Sequence, residues 1–127
     1  MVISISKQKL LELVVRQIDN LFGIENGDKR ILSGLMDAVL NKTERCFSYT
    51  KNKYYHKDGQ IYFHPFHSAQ YAIFLYFLSK VLSLEGQSVL ADKAYCLNKA
   101  LNSVDLYHAI ELPAIFGLDH PVGTVIG

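Results

Sequence analysis

The last 22 residues of the chain repeat with a period of six. Leu106-Tyr-His-Ala-Ile-Glu is followed by Leu112-Pro-Ala-Ile-Phe-Gly, by Leu118-Asp-His-Pro-Val-Gly and by a partial unit, Thr124-Val-Ile-Gly. An aliphatic residue opens each of the three full hexads. This is the pattern of a hexapeptide β-helix, in which each hexad forms one short side of a coil and buries its apolar edge against the neighbouring coil. Up to about Ser103 the apolar residues recur instead at the helical spacing of 3.6. The change of period predicts a domain boundary there: a helical domain over 1–103 and the start of a β-helix over 104–127. The expected fold class is mainly α, about four helices followed by roughly one coil.

Within the helical part, Ser6 is placed to cap a helix from about Lys7 to Phe22. Leu10, Val14, Ile18 and Leu21 share its buried face, with Leu11, Val15 and Phe22 widening it. Gly23 and the turn Glu25-Asn-Gly-Asp28 end it, and Asp28 caps a second helix to about Phe47. Its stripe is Ile31, Leu35, Ala38 and Val39, with Leu32, Met36 and Leu40 alongside. The segment from Ser48 to Pro65 is polar, aromatic and basic, and Lys57-Asp-Gly59 marks a hairpin or irregular loop between Tyr54 and Phe63. A third helix, about Phe66 to Leu84, is apolar nearly all round and is therefore the central one. A fourth, about Gln87 to Asn102, carries Leu90, Ala94, Leu97 and Leu101 on one stripe.

Composition removes several classes of function. With a formal charge of +1 there is no basic stripe for nucleic acid. The most apolar run, Tyr71 to Leu78, is far short of the roughly 20 residues that span a bilayer. The N-terminus has no basic region followed by a long apolar run, so no signal peptide is expected. Cys46 and Cys96 lack CxxC spacing and read as buried free thiols in a reducing cytoplasm. No phosphate-binding glycine loop or dinucleotide fingerprint is present. His56 and His64 flank the aromatic pairs of the 48–65 segment without metal-ligand spacing, so no metal is expected. The stretch Tyr49 to His56 reads as a solvated loop, His67 as a helix-start residue, and His108 as lying at an exposed corner.

One constellation carries chemistry. Asp119-His120 lies inside the third hexad, and His120 follows Asp105 by 15 residues. About 18 residues complete a coil of three hexads, so Asp105 and His120 fall roughly one coil apart on the same edge. A carboxylate beside an imidazole holds one tautomer and raises its basicity, which suits His120 to act as general base on a hydroxyl or amine. No serine or cysteine nearby is placed as a covalent nucleophile, which favours direct acyl transfer. A solvated Asp-His-Pro turn without catalytic role is the plain alternative.

The run Val104-Asp105-Leu106, the hexads and Leu118-Asp119-His120-Pro-Val-Gly-Thr-Val-Ile-Gly127 resemble the junction between the helical domain and the left-handed β-helix of serine acetyltransferases. Pro65-Phe66-His67-Ser-Ala-Gln70 is similar to that family's Gly/Pro-Phe-His-x-x-Gln element, which opens a long helix. The resemblance covers roughly residues 60–127. It implies acetyl transfer from acetyl-CoA, as co-substrate, to the hydroxyl of L-serine in cysteine biosynthesis, with no bound cofactor. His120 would be the base, Asp105 its orienting residue and Asp119 the substrate contact. The resemblance leaves the cofactor-binding residues unassigned. It further implies trimers through the β-helix, doubled to hexamers through the helical domain.

Two departures qualify the expectation. The family's further substrate aspartate, in an Asp-Pro step, has no counterpart near Ser48-Tyr-Thr-Lys-Asn52. O-acetyltransferases that modify sugars in surface-polysaccharide synthesis are therefore an alternative. The family's coenzyme A site is built by later coils, so this chain is expected to be a fragment, inactive by itself. A helical self-association module, dimeric and with a poorly packed tail, is the remaining alternative.

Overall fold

A computed structural model describes residues 1–127. The chain is mainly helical, with helices α1 (Lys7–Phe22), α2 (Asp28–Phe47), α3 (Ser68–Leu84) and α4 (Ser88–Asn102). Five short strands accompany them: β1 (Val2–Ile3), β2 (His56–Lys57), β3 (Gln60–Phe63), β4 (Asp105–Leu106) and β5 (Val125–Ile126). No helix is long and apolar enough to cross a membrane.

Helix α3 is the axis of the domain. Thirteen of its residues are buried, from Ala69 to Leu82, which accounts for its lack of a polar face. It packs chiefly on α4 and α2. Asn98 of α4 is buried, and its amide donates to the Ala72 carbonyl of α3 at 3.0 Å. Asn102 in turn donates to Asn98 at 2.9 Å, so the polar atoms at this crossing are paired.

Several details differ from the periodic reading. Ser6 caps α1 as expected, accepting from the Lys9 N–H at 3.1 Å. Leu21 and Leu101, in the last turns of α1 and α4, are 52% and 44% exposed rather than part of the buried stripes. In α2 the buried face is Leu32, Met36, Val39, Thr43 and Phe47, and Ala38 is exposed. The helix is thus rotated by about one residue from its expected stripe. Asp28 does not cap α2. Gly27 holds that position with φ +88°, a left-handed conformation that suits glycine, and Asp28 instead accepts from the Glu25 N–H at 2.8 Å. Helix α3 begins at Ser68, because Pro65 and Phe66 form a turn before it. Cys46 is buried while Cys96 is partly exposed, and both are free.

Within the 48–65 segment, Tyr49 to His56 is largely exposed except for buried Tyr55, and the expected hairpin follows. A single 3-10 turn over Lys53–Tyr55 leads into the antiparallel hairpin β2–β3. Asp58 and Gly59 both have positive φ, +51° and +76°, as a type I′ hairpin turn requires. β1, which the periodicity does not predict, pairs with β3 in parallel. Tyr55 and Phe63 then carry this layer into the core, meeting Phe47 at ring-centroid distances of 4.8 and 5.8 Å. Burying each such ring contributes about 2–3 kcal/mol.

Beyond α4 no β-helix is evident. Of the hexad region only β4 and β5 are strands, and they pair in parallel, Asp105 with Val125 and Leu106 with Ile126. The pairing offset is therefore 20 residues (125 minus 105), two more than three hexads. The tail is nevertheless seated: Leu106 and Leu118 are buried in the helical core, while Val122 and Val125 are each 73% exposed. His108 is not at an exposed corner. It is 6% exposed, bonded through Nε2 to Asp92 at 2.9 Å and packed on Tyr107. The tail folds back over α4, which turns this corner inward.

Candidate functional site

The Asp119-His120 turn is anchored on both sides. Before it, Phe116 is held by the Cys46 thiol, which donates to its carbonyl at 3.1 Å. After it, Pro121 is buried, its carbonyl accepts from the Thr124 N–H at 2.9 Å, and the Gly123 N–H donates to the Ser103 carbonyl at 2.8 Å. Between these anchors His120 adopts φ +48°, the left-handed region that non-glycine residues visit rarely and often at functional positions. Asp119 and His120 are both exposed.

The turn faces the loop before β2 and the start of α3. Together they enclose a cavity of about 100 Å³ into which Asn52, Tyr54, His67, Ser68, Asp119 and His120 open. Asn52 sits at the head of the 3-10 turn, where its Oδ1 accepts from the Tyr54 N–H at 2.9 Å. That bond aims the amide nitrogen away, and Nδ2 donates to the Asp119 carboxylate at 3.3 Å. The loop itself is closed by the ring of His56, whose Nε2 donates to the Thr50 carbonyl at 2.8 Å.

His67 has two attachments. Its Nδ1 accepts from the Gln70 N–H at 3.3 Å, capping α3, so its proton resides on Nε2. Burial holds its pKa below the ordinary histidine value, His64 and His120 push the same way, and Asp119 opposes them. The ring is thus kept neutral, beside Tyr54 at 5.7 Å and Tyr55 at 5.8 Å between centroids. Tyr55 lies beneath, 2% exposed, with a hydroxyl that has no hydrogen-bond partner. Burial first, then the Asp119 and Cys46 charges, push its pKa up to about 12.

Of the residues singled out in the sequence, Asp119 and His120 share the cavity, and Asp105 does not. Asp105 is half-buried and accepts from the Tyr95 hydroxyl at 2.6 Å. It opens onto a different cavity, together with Lys99, Ser103 and Thr124. No hydrogen bond joins it to His120. The histidine neighbour of His120 is instead His67, which the sequence marks only as a helix start. Asn52 and Tyr54 carry no signal in periodicity or spacing, since both belong to an irregular loop. No group of three or more His, Cys, Asp or Glu side chains converges as metal ligands anywhere in the chain.

The arrangement presents an imidazole and a carboxylate at the mouth of a small polar cavity, with an amide, a second neutral imidazole and an aromatic face around it. It can orient a hydroxyl-bearing molecule and accept a proton from it. Comparison with known proteins adds nothing further: no protein-family model, curated protein or solved structure matches the chain.

Proposed function

We propose that the chain carries the acceptor side of an acetyl-CoA-dependent O-acetyltransferase related to serine acetyltransferases. The observation that supports this reading best is the meeting of Asp119, His120, His67 and Asn52 on one cavity. His120 takes the proton of the acceptor hydroxyl as its oxygen attacks the thioester carbonyl. The tetrahedral intermediate then expels the thiolate, which recovers the proton from the imidazolium. Asp119 holds the acceptor, and His67 Nε2–H is a donor available to it. Asp105 serves as orienting residue only after exchanging its Tyr95 partner for His120. Trimeric assembly through the tail and a cytoplasmic setting, consistent with two free cysteines, belong to the same proposal.

L-serine is the first acceptor to test. A specific observation favours a second, a sugar hydroxyl. Asn52, an uncharged amide, occupies the place beside Asp119, so the cavity holds one carboxylate for an ammonium group where two would attract it more strongly. Tyr54, 57% exposed, offers a ring face at the rim. The test is an NMR titration of the chain with L-serine and, separately, N-acetylglucosamine. Saturable shifts at Asn52, His67 and His120, lost in Asp119→Ala, are expected for the true acceptor. Absence of saturable shifts with both acceptors at tens of millimolar would refute the assignment of this cavity.

A further inference from the structure

A concave feature with an apolar floor lies between helices, away from the Asp119-His120 turn. It is a cavity of about 330 Å³ between the second half of α2, the second half of α3 and the segment 110–114. Its floor is aromatic and aliphatic: Tyr76 and Phe77 are buried against it and Leu112 is half-buried. The rim carries three cations, Lys42, Arg45 and Lys80, and one carboxylate, Glu111. Lys80 binds Glu111 at 2.5 Å and also donates to the Ile110 carbonyl at 3.3 Å, so these two charges neutralise each other. Lys42 and Arg45, one turn apart on α2, form no ion pair. An apolar floor is thus combined with two uncompensated positive charges at one edge.

We propose that this cavity binds a small amphipathic anion, an apolar body of medium-chain fatty-acid or aryl-carboxylic-acid size bearing one carboxylate. Its volume falls at the lower end of the roughly 300–1,000 Å³ typical of small-molecule sites, too small for a nucleotide coenzyme. The apolar body displaces water from Tyr76, Phe77 and Leu112, and the carboxylate meets Lys42 and the planar guanidinium of Arg45. The wall opposite the helices is a preformed one. The Tyr76 hydroxyl donates to the Ile110 carbonyl at 2.6 Å and accepts from the Leu112 N–H at 3.3 Å, so this wall does not need to be ordered by the ligand.

The experiment uses three probes that separate the two halves of the argument: octanoate, acetate and 1-octanol, each titrated into the isotopically labelled full chain. Octanoate is expected to give saturable shifts at Glu111, Leu112 and Ala114, acetate none, and 1-octanol the same shifts at tenfold or more weaker affinity. The double variant Lys42→Gln, Arg45→Gln changes only exposed side chains. It should weaken octanoate at least tenfold and leave 1-octanol unchanged. The proposal is overturned if octanoate gives no saturable shift, if acetate binds as well as octanoate, or if the double variant leaves octanoate affinity intact. None of these outcomes depends on the acceptor cavity, whose reporters are Asn52, His67 and His120.

Discussion

Gln70 joins the layer that bears the candidate site to the helix that organises the core, and its replacement should be costly. It is fully buried in the first turn of α3. Its Oε1 accepts from the His64 N–H at 2.9 Å and its Nε2 donates to the Tyr62 carbonyl at 2.6 Å. Both partners are backbone groups at the end of β3, and neither has an exposed side chain. Gln70→Leu keeps the volume and removes both bonds. Each lost bond removes about 1 kcal/mol, and each partly buried backbone group left unpaired adds a desolvation cost of about 1 kcal/mol or more. The sum is about 4 kcal/mol. With an unfolding entropy of about 2.1 cal/mol/K per residue, this lowers Tm by roughly 15 °C for a chain of this length. Gln70→Glu keeps the acceptor but sets a buried carboxylate against the Tyr62 carbonyl, so at neutral pH it should be at least as destabilising as Gln70→Leu. Urea denaturation monitored by circular dichroism measures both variants, and hydrogen exchange at the His64 amide reports the bond itself. If Gln70→Leu lies within about 0.5 kcal/mol of the native chain, the bridge does not hold the layer, and the placement of His67 needs another explanation.

Two further predictions concern groups beneath and beside the cavity. Tyr55→Phe removes a buried hydroxyl that has no partner, so it should leave stability unchanged or raise it by about 1 kcal/mol at neutral pH. The folded-state pKa of Tyr55, about 12, lies above its ordinary value of 10.0. Its contribution is therefore complete below pH 10 and lost as pH rises through 12; a denaturation series across that range should be flatter for Tyr55→Phe, and an unchanged slope would refute the assignment. His67 has the opposite sense. Its folded-state pKa lies below 6.5, so the unfolded chain binds the proton first and stability falls as pH drops from above 6.5 toward the folded value. His67→Asn, which can still cap α3, should remove that acid-side slope while leaving stability above pH 7 within about 0.5 kcal/mol. Equal slopes in the two proteins would show that His67 is not held neutral by its surroundings.

How much of this arrangement could be read from sequence depends on what sets each position. Helices α1 to α4 are set by apolar spacing and by local caps such as Ser6, and these are properties of a few consecutive residues. The rotation of α2 by about one residue is not local. It follows from Thr43 and Phe47 entering the core, where Phe47 meets Tyr55 and Phe63 from a segment with no period of its own. The same applies to the site. Asp119 and His120 are visible because they occupy fixed places in a hexad, but Asn52 reaches Asp119 across 67 residues of sequence and only through the closed loop that His56 holds. The inferred pairing of Asp105 with His120 shows the converse limit. A periodic count of about 18 residues per coil predicts neighbouring layers, but β4 and β5 pair at an offset of 20, and Asp105 turns to a phenol that no period would nominate. A coil in true hexad register would bring the two residues a step closer along the edge. The register of the β4–β5 pair is therefore the structural variable on which an Asp105–His120 dyad depends; Tyr95→Phe frees the carboxylate but leaves that register as it is.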